Sequence, residues 1–258
     1  LDNHSQIGEL FEASGNVVRD YHHSTSTCKD KEVVAGVSAS DGNADDVRGL
    51  INFVRGKDYF DYNGGCNLTE DREHLLADIY HSQLVEVGAP NANIDFVSNN
   101  EEAYWRLTQG YSAFKTQHQN RRKVIYAGSN GGMLHAFDSS NGKELWGFVP
   151  PMIAAQLPLA INKEYDGKFG GDSVKAGGSN AIFGVDGSPV IHDVKIYGLK
   201  EDGTGYETIK SWRTLLFVPY GRGGNGFSVL DITNPTLTKA AVNSEGQQVA
   251  GDNGKGPL

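Results

Sequence analysis

Residues 123–149, KVIYAGSNGGMLHAFDSSNGKELWGFV, decide the fold. The pattern predicts three strands joined by two tight turns, because Asn130-Gly131-Gly132 accepts positive φ at low cost and Ser139-Ser140-Asn141-Gly142 forms a second turn between runs of β-forming residues. In the third strand, alternation places Glu144, Trp146 and Phe148 on one face. A meander of this length buries little by itself. We therefore expect further sheets to stack on it, as the blades of a propeller do.

Part of this stretch, residues 136–146 (AFDSSNGKELW), resembles the tryptophan-docking repeat of quinoprotein-type propellers. The resemblance implies that Asp138 and Gly142 shape the hairpin and that Trp146 docks on the neighbouring blade. It implies a fold and not an activity, since quinone-dependent dehydrogenases and non-catalytic scaffolds both carry the repeat.

Composition supports a turn-rich β protein. The 258 residues include 33 glycines, 11 tyrosines and 11 phenylalanines, which favours an all-β globule over a helical one. The net charge of −9 argues against general affinity for nucleic acid or anionic lipid, because both attract dense lysine and arginine patches. The sequence has no apolar run of membrane-spanning length and no initiator methionine. We expect it to continue beyond both ends.

The first part of the chain differs in its sequence pattern from the strand-and-turn pattern of the rest. We predict that residues 1–40 are a remnant of a preceding region or a linker, and that 41–258 form an incomplete propeller. Helical spacing predicts helices at 5–13, 47–56 and 99–117, the last inserted before the central meander. Cys28 and Cys66 are predicted to form a disulfide in an oxidising compartment; the alternative is two unpaired thiols.

An acidic run offers a weak metal hypothesis. Asp41, Asn43 and Asp45 have the D-x-N-x-D spacing that begins a calcium loop. The loop then departs from the pattern, because Asp46 stands where glycine is expected and Asn52 where a bidentate glutamate is expected. The run is therefore interpreted mainly as a helix cap, with calcium as the alternative.

The second half repeats the pattern of the first imperfectly. Strands are predicted at 190–197 and 212–219, followed by a glycine turn at 221–226 and a strand that ends, as the earlier one does, in Asp and a turn. A phosphate-binding loop is the weaker interpretation of 221–226, because no helix follows it. The residues expected to shape this half are Asp186, Gly187, Gly223, Gly224, Gly226 and Asp231.

Taken together, these segments resemble the PilY/PilC family of type IV pilus biogenesis and tip-adhesin proteins. The resemblance runs in order through 55–65 (RGKDYFDYNGG), 75–90 (LLADIYHSQLVEVGAP), 124–150, 183–194 (FGVDGSPVIHDV) and 212–235 (WRTLLFVPYGRGGNGFSVLDITNP). It implies a mainly β fold, a partial modified β-propeller with inserted helices and long loops. It also implies a secreted protein at the outer membrane or pilus tip.

The resemblance further implies a non-enzymatic role. The partners would be minor and major pilins, with host or abiotic surfaces as further ligands, and the activity would be control of pilus extension and retraction and of adhesion. Calcium is possible in the family, but no intact loop lies in this segment, so calcium binding is not transferred to any residue.

Two other functions are weighed against this one. A quinone-dependent dehydrogenase would need a catalytic aspartate, but Asp138, Asp186 and Asp231 all lie in turn contexts that explain them, and the histidines lack metal-ligand spacing. A cell-envelope propeller unrelated to pili would share the tryptophan-docking repeat only. Whichever function is right, we expect the cores of the propeller blades to be built from Tyr126, Phe137, Trp146, Phe148, Trp212, Phe217 and Phe227.

Overall fold

The computed structural model describes residues 50–57, 70–97, 100–157, 182–198, 200 and 205–235, and it gives the strand positions of four short segments at 168–169, 172–173, 238–242 and 248–255. The predicted helix at 5–13, the boundary at residue 40 and the pair Cys28 and Cys66 lie outside these ranges. So do the three calcium candidates Asp41, Asn43 and Asp45. These remain predictions from sequence.

The central meander forms as predicted. Strands β1 (Val85–Val87), β2 (Val124–Gly128), β3 (Leu134–Asp138) and β4 (Glu144–Phe148) make an antiparallel sheet in the order β1-β2-β3-β4. The turn between β2 and β3 uses Gly132 at φ +89°, and the turn between β3 and β4 uses Gly142 at φ +72°. Both turns need backbone conformations that only glycine adopts easily.

The alternation predicted for β4 is wrong at its first residue. Glu144 pairs with Phe137 whereas Trp146 pairs with Ala136, so the register shifts between them. An extra residue in one strand of an antiparallel pair turns the residues before it to the opposite face of the sheet. Glu144 therefore contacts His135 on the opposite face, and Leu145 packs partly against the core.

The inserted helical region divides into two helices. Helix α1 (Glu101–Thr108) begins at Asn100, whose side chain accepts the Ala103 N–H, and α2 (Tyr111–Gln117) follows Gly110 at φ +79°. The left-handed glycine ends the first helix and redirects the chain. Both helices lie between β1 and β2 in sequence, as expected. A helical turn at 50–54 and the short α3 (Pro151–Ala154) complete the described α-helices, and residues Gly221–Gly223 form a 3-10 helix.

A second antiparallel sheet contains β7 (Val190–Ile196), β8 (Ser211–Pro219) and β9 (Phe227–Asp231), in that order. Two separate antiparallel pairs are also present. One joins β5 (Lys168–Phe169) to β6 (Asp172–Ser173), and the other joins β10 (Thr238–Val242) to β11 (Gln248–Lys255).

The core lies between the two sheets. Its buried residues come from one face of each sheet and include Tyr126, Leu134, Ala136 and Trp146 on one side and Leu216, Val218 and Leu230 on the other. A satellite cluster of Tyr111, Phe114 and Trp212 holds α2 against β8. Sheet stacking of this kind confirms the mainly β prediction.

One predicted core residue is wrong. Phe227 is 62% exposed, because it pairs with Pro219 on the face of the second sheet that points away from the first. Phe137 and Phe217 are only half-buried for the same reason: each lies on the outer face of its own sheet.

Candidate functional site

Three glycine-rich segments converge where the two sheets meet. We call residues 128–132, 184–187 and 219–226 the glycine junction. A Cβ atom on Gly128 would lie 2.1 Å from the Val185 carbonyl oxygen, and one on Gly223 would lie 1.8 Å from the Gly184 carbonyl oxygen. Because these contacts are with backbone, which cannot move aside as a side chain can, any larger residue would force the segments apart.

The four glycines singled out in the second half of the sequence differ in what they do here. Gly187, like Gly223, lies against backbone, since a Cβ atom on Gly187 would lie 2.7 Å from the Pro219 carbonyl oxygen. Gly226 has its closest neighbour, the Met152 sulfur, at 3.2 Å, and Gly224 has its closest, a Tyr220 ring carbon, at 3.6 Å. The backbone approach therefore requires glycine at 187 and 223, and a side chain at 224 meets only ordinary contacts.

Backbone hydrogen bonds join the three segments. Val185 N–H donates to the Ser129 carbonyl and Asp186 N–H to the Tyr220 carbonyl, each at 3.2 Å. Within the turn, the Gly223 and Gly226 amides donate to the Tyr220 and Gly224 carbonyls. Amides engaged in this way do not form an open anion cradle, which favours a structural turn over a phosphate-binding loop.

Asp186 anchors a fourth segment to the junction. Its carboxylate is buried, and His81 Nδ1 lies 2.8 Å and 2.9 Å from its two oxygens. Nearby, Ser82 Oγ accepts the Gly128 N–H at 2.9 Å, and Asp78 accepts hydrogen bonds from both the backbone and the side chain of Asn130. Residues 75–84, which we call the strap, are thus held by their polar groups.

The strap presents its apolar side chains to solvent. Leu75, Leu76, Tyr80 and Leu84 are 55%, 50%, 72% and 64% exposed, whereas Asp78, His81 and Ser82 point to the junction. Of these three polar residues Ser82 is buried, whereas Asp78 and His81 keep exposed surface. Exposed apolar groups in a cluster mark interaction surfaces. Residues 75–90 were included in the family resemblance, but no exposed surface was predicted there. Leu75, Leu76, Ile79 and Tyr80 have helical spacing, whereas the structure has no helix at these positions, and exposure depends on the tertiary fold.

Trp146 lies between the two sheets. It is 7% exposed, its ring centroid is 5.7 Å from that of Tyr126, and its Nε1 donates to the Pro235 carbonyl at 3.0 Å. Pro235 follows β9, so this contact joins the end of β4 to the end of the second sheet.

Asp138 and Asp231 occupy matching turns. Asp138 Oδ1 accepts the Ser140 N–H at 2.8 Å, and Asp231 Oδ1 accepts the Thr233 N–H at 2.9 Å. The hydrogen bonds from Ser140, followed by the charge of Arg122, lower the pKa of the Asp138 carboxyl. Asp231 also pairs with Arg213. The three aspartates therefore have separate structural partners, and the described residues contain no cluster of three or more acidic, histidine or cysteine side chains able to hold a metal.

A buried polar network fixes α2 against the sheets. The Tyr111 hydroxyl donates to Asp193 and accepts the Ala92 N–H. Thr214 donates to Asp193 at 2.6 Å and accepts from Arg121 at 2.7 Å. Burial, followed by the bond to Asp193, raises the pKa of Tyr111, and burial lowers the pKa of Arg121. Satisfied networks of this kind make packing specific.

A second hydrogen-bonded network lies beneath the turn between β2 and β3. His135 contacts Ser129 Oγ through Nε2 at 3.0 Å and Glu144 Oε1 through Nδ1 at 2.6 Å. Ser129 is buried and also donates to the Met133 carbonyl at 3.2 Å. A serine that bonds its own turn in this way holds residues 129–133 in place. A cavity of about 350 Å³ between this turn and the strap is lined by Leu75, Leu76, Ser129 and His135 among others.

The part of the chain that contains both sheets is similar to known proteins. Residues 76–256 match the family described as the PilY1 beta-propeller domain. A type IV pilus biogenesis factor PilY1 homolog of Xylella fastidiosa is 33% identical over 186 residues, which are 72% of this chain and 13% of that protein. Type IV pilus biogenesis factor PilY1 of Pseudomonas aeruginosa UCBPP-PA14 is 31% identical over 199 residues, which are 76% of this chain and 14% of that protein.

A solved structure is also similar in part. The crystal structure of the Pseudomonas aeruginosa PilY1 C-terminal domain aligns with a TM-score of 0.33 and 25% identity, over 57% of this chain and 22% of that chain. No helix in the described ranges is long and apolar enough to cross a membrane. The family match covers both sheets and the glycine junction, and it confirms the propeller resemblance seen in the sequence: the chain belongs to the PilY1 β-propeller domain family.

Proposed function

We propose that this segment is a non-enzymatic binding platform of the type IV pilus, and that it recruits minor and major pilins through the strap. The observation that carries the proposal is the exposed apolar surface of the strap: polar side chains bond it to the glycine junction while four large apolar side chains are exposed. A platform of this kind binds with little ordering cost, because its exposed groups are already positioned.

The family supports the pilus context. The similar proteins are named as type IV pilus biogenesis factors, and the chain spans about one seventh of their length. From this we propose a secreted protein at the outer membrane or pilus tip, which supports pilus extension and retraction and adhesion to host or abiotic surfaces. A disulfide between Cys28 and Cys66 is part of the same proposal, and calcium at 41–45 stays the weaker alternative to a helix cap.

The experiment is a pull-down of purified pilins from the source organism by this chain. L76D and Y80A should each weaken capture at least about tenfold, since an exposed apolar anchor at an interface contributes more than about 1.4 kcal/mol. The matched control is I209D, because Ile209 is 77% exposed and lies away from the strap.

Three results would distinguish the alternatives. Equal capture by all variants would exclude the strap as the pilin surface. Capture by neither the parent nor the variants would favour an envelope scaffold unrelated to pilins. Repeating the assay with calcium and with chelator tests calcium binding separately. Pilin capture that is lost in chelator and kept in calcium would indicate a metal site within this chain.

A further inference from the structure

A cavity of about 540 Å³ lies between helix α2 and the second sheet. Its walls come from residues within 110–118 on the helix side, from 211–213 of β8, and from the end of β9 and the turn after it at 231–234. Cavities that hold small molecules usually measure about 300 to 1,000 Å³. The cavity shares no residue with the strap, so its ligand and the pilin surface are separate questions.

Aromatic rings form one wall of this cavity. The ring centroids of Phe114 and Trp212 lie 6.5 Å apart with 30° between their planes, and the His118 ring lies 4.7 Å from that of Phe114. Trp212 is held in place because its Nε1 donates to the Gln109 carbonyl at 2.9 Å. The face of an aromatic ring carries partial negative charge and attracts weakly positive C–H groups. This wall therefore suits a ligand that presents a flat surface of C–H bonds.

Two neutral polar side chains, those of Gln117 and His118, also line the cavity. Neither side chain hydrogen-bonds to any residue that the structure describes. Burial, followed by the charges of Arg121 and Arg213, lowers the pKa of His118, so its ring is neutral at about pH 7. A neutral imidazole and an amide each offer both a donor and an acceptor, as do the hydroxyl groups that they would bind.

The charged side chains of the cavity are already paired with each other. Arg213 bonds to Glu207 and lies 3.4 Å from Asp231, and its Nε donates to Ser211 Oγ at 3.1 Å. An anion in the cavity would meet two carboxylates beside the one guanidinium, and a cation would compete with that guanidinium for both carboxylates. A neutral ligand leaves the paired charges intact.

We propose that this cavity is a binding site for a neutral saccharide. The C–H face of a sugar ring would lie on the wall of Phe114 and Trp212, and its hydroxyl groups would bond Gln117 and His118. A pyranose ring combines these two surfaces, a flat C–H face and a rim of groups that donate and accept. A metal ion fits the site poorly, since the described residues provide no cluster of three ligands for one.

Saturation-transfer-difference NMR on the unaltered chain is the first test. The probes are the methyl glycosides of glucose, galactose, mannose and N-acetylglucosamine, with charged N-acetylneuraminic acid and glucosamine as comparators. At least one neutral glycoside should receive saturation, most strongly at the C–H protons of one ring face. Absence of transfer to all four neutral probes, or stronger transfer to a charged comparator, would overturn the proposal.

A matched pair of substitutions on α2 then locates the site. Ala113 and Ser112 are both exposed, but only Ala113 lines the cavity. A113W should weaken binding of the responding glycoside at least about tenfold, because its indole occupies the cavity, whereas S112W should bind as the parent does. Equal binding by the two variants would refute the assignment.

Amide chemical shifts of the unaltered chain give a readout that needs no variant to fold. Titration with the responding glycoside should move the Gln117 and His118 amides, since both residues would contact the sugar. Shifts confined to residues outside the cavity would place the sugar elsewhere and refute the proposal. Loss of pilin capture by the strap variants would not alter any of these results, so the two proposals fail separately.

Discussion

Replacing Trp146 with alanine tests whether the two sheets are held together as the structure indicates. The side chain is 7% exposed, contacts Tyr126 and donates to the Pro235 carbonyl. Loss of a buried tryptophan costs about 3 to 5 kcal/mol through lost burial and the cavity left behind. For a chain of this size each kcal/mol shifts Tm by about 2 to 4 °C, so the variant should melt at least 6 °C lower.

A second substitution separates the hydrogen bond from the packing. W146F keeps an aromatic ring but leaves the Pro235 carbonyl without its donor, and an unsatisfied buried group costs about 1 to 3 kcal/mol. W146F should therefore fall between the parent and W146A. The matched control is W105A, because Trp105 is 47% exposed and contacts Trp212 at its edge; it should lose about 1 kcal/mol or less.

The assay is urea unfolding followed by far-UV circular dichroism, since tryptophan fluorescence would change with the substitution itself. Slopes should stay equal while midpoints move, which assigns the effect to stability. If W146A and W105A lose the same free energy, Trp146 does not join the sheets, and the packing argument fails.

Three other perturbations follow from the same structure. G223A should cost about 3 kcal/mol because its Cβ meets the Gly184 carbonyl, whereas G224A should cost far less; equal midpoints in urea would contradict the junction. Y126F should raise stability by about 1 kcal/mol, because the Tyr126 hydroxyl is buried and no described group bonds it, while Y111F should lower stability by breaking the bonds to Asp193 and Ala92; the reverse order in thermal melts would refute this. Burial, followed by the charges of Arg121 and Arg213, lowers the pKa of His118, so the unfolded chain binds that proton more readily and stability should fall as pH drops below 6.5; H118Q should flatten the pH dependence of Tm between pH 7 and 5, and an unchanged slope would exclude His118 as its source.

Local patterns in the sequence were sufficient for much of the fold. The strands of the central meander were identified by alternation and by glycines at positive φ, and the inserted helical region at 99–117 by its apolar spacing. Such signals depend on residues close together in the chain, and the chain's own stereochemistry enforces them. The family resemblance also rested on short segments in a fixed order.

The register of β4 could not be obtained in this way. Strict alternation placed Glu144 with Trp146, but a one-residue shift at Leu145 separated them. A bulge is decided by which side chains the facing strand can accommodate, and that strand must be in place first. The prediction that Phe227 is buried was wrong for a related reason, since burial depends on whether another sheet covers its face of the second sheet.

What the sequence determined by itself is the set of strands and turns, because hydrophobic alternation and glycine stereochemistry act within a few residues. What only the tertiary structure decided is how distant segments meet. The close approach of Gly223 to Gly184, the His81 contact with Asp186 and the outward apolar face of the strap each join residues far apart in the chain. No local pattern encodes them, because they arise from the packing of one sheet on the other, where burial and backbone contact are settled together.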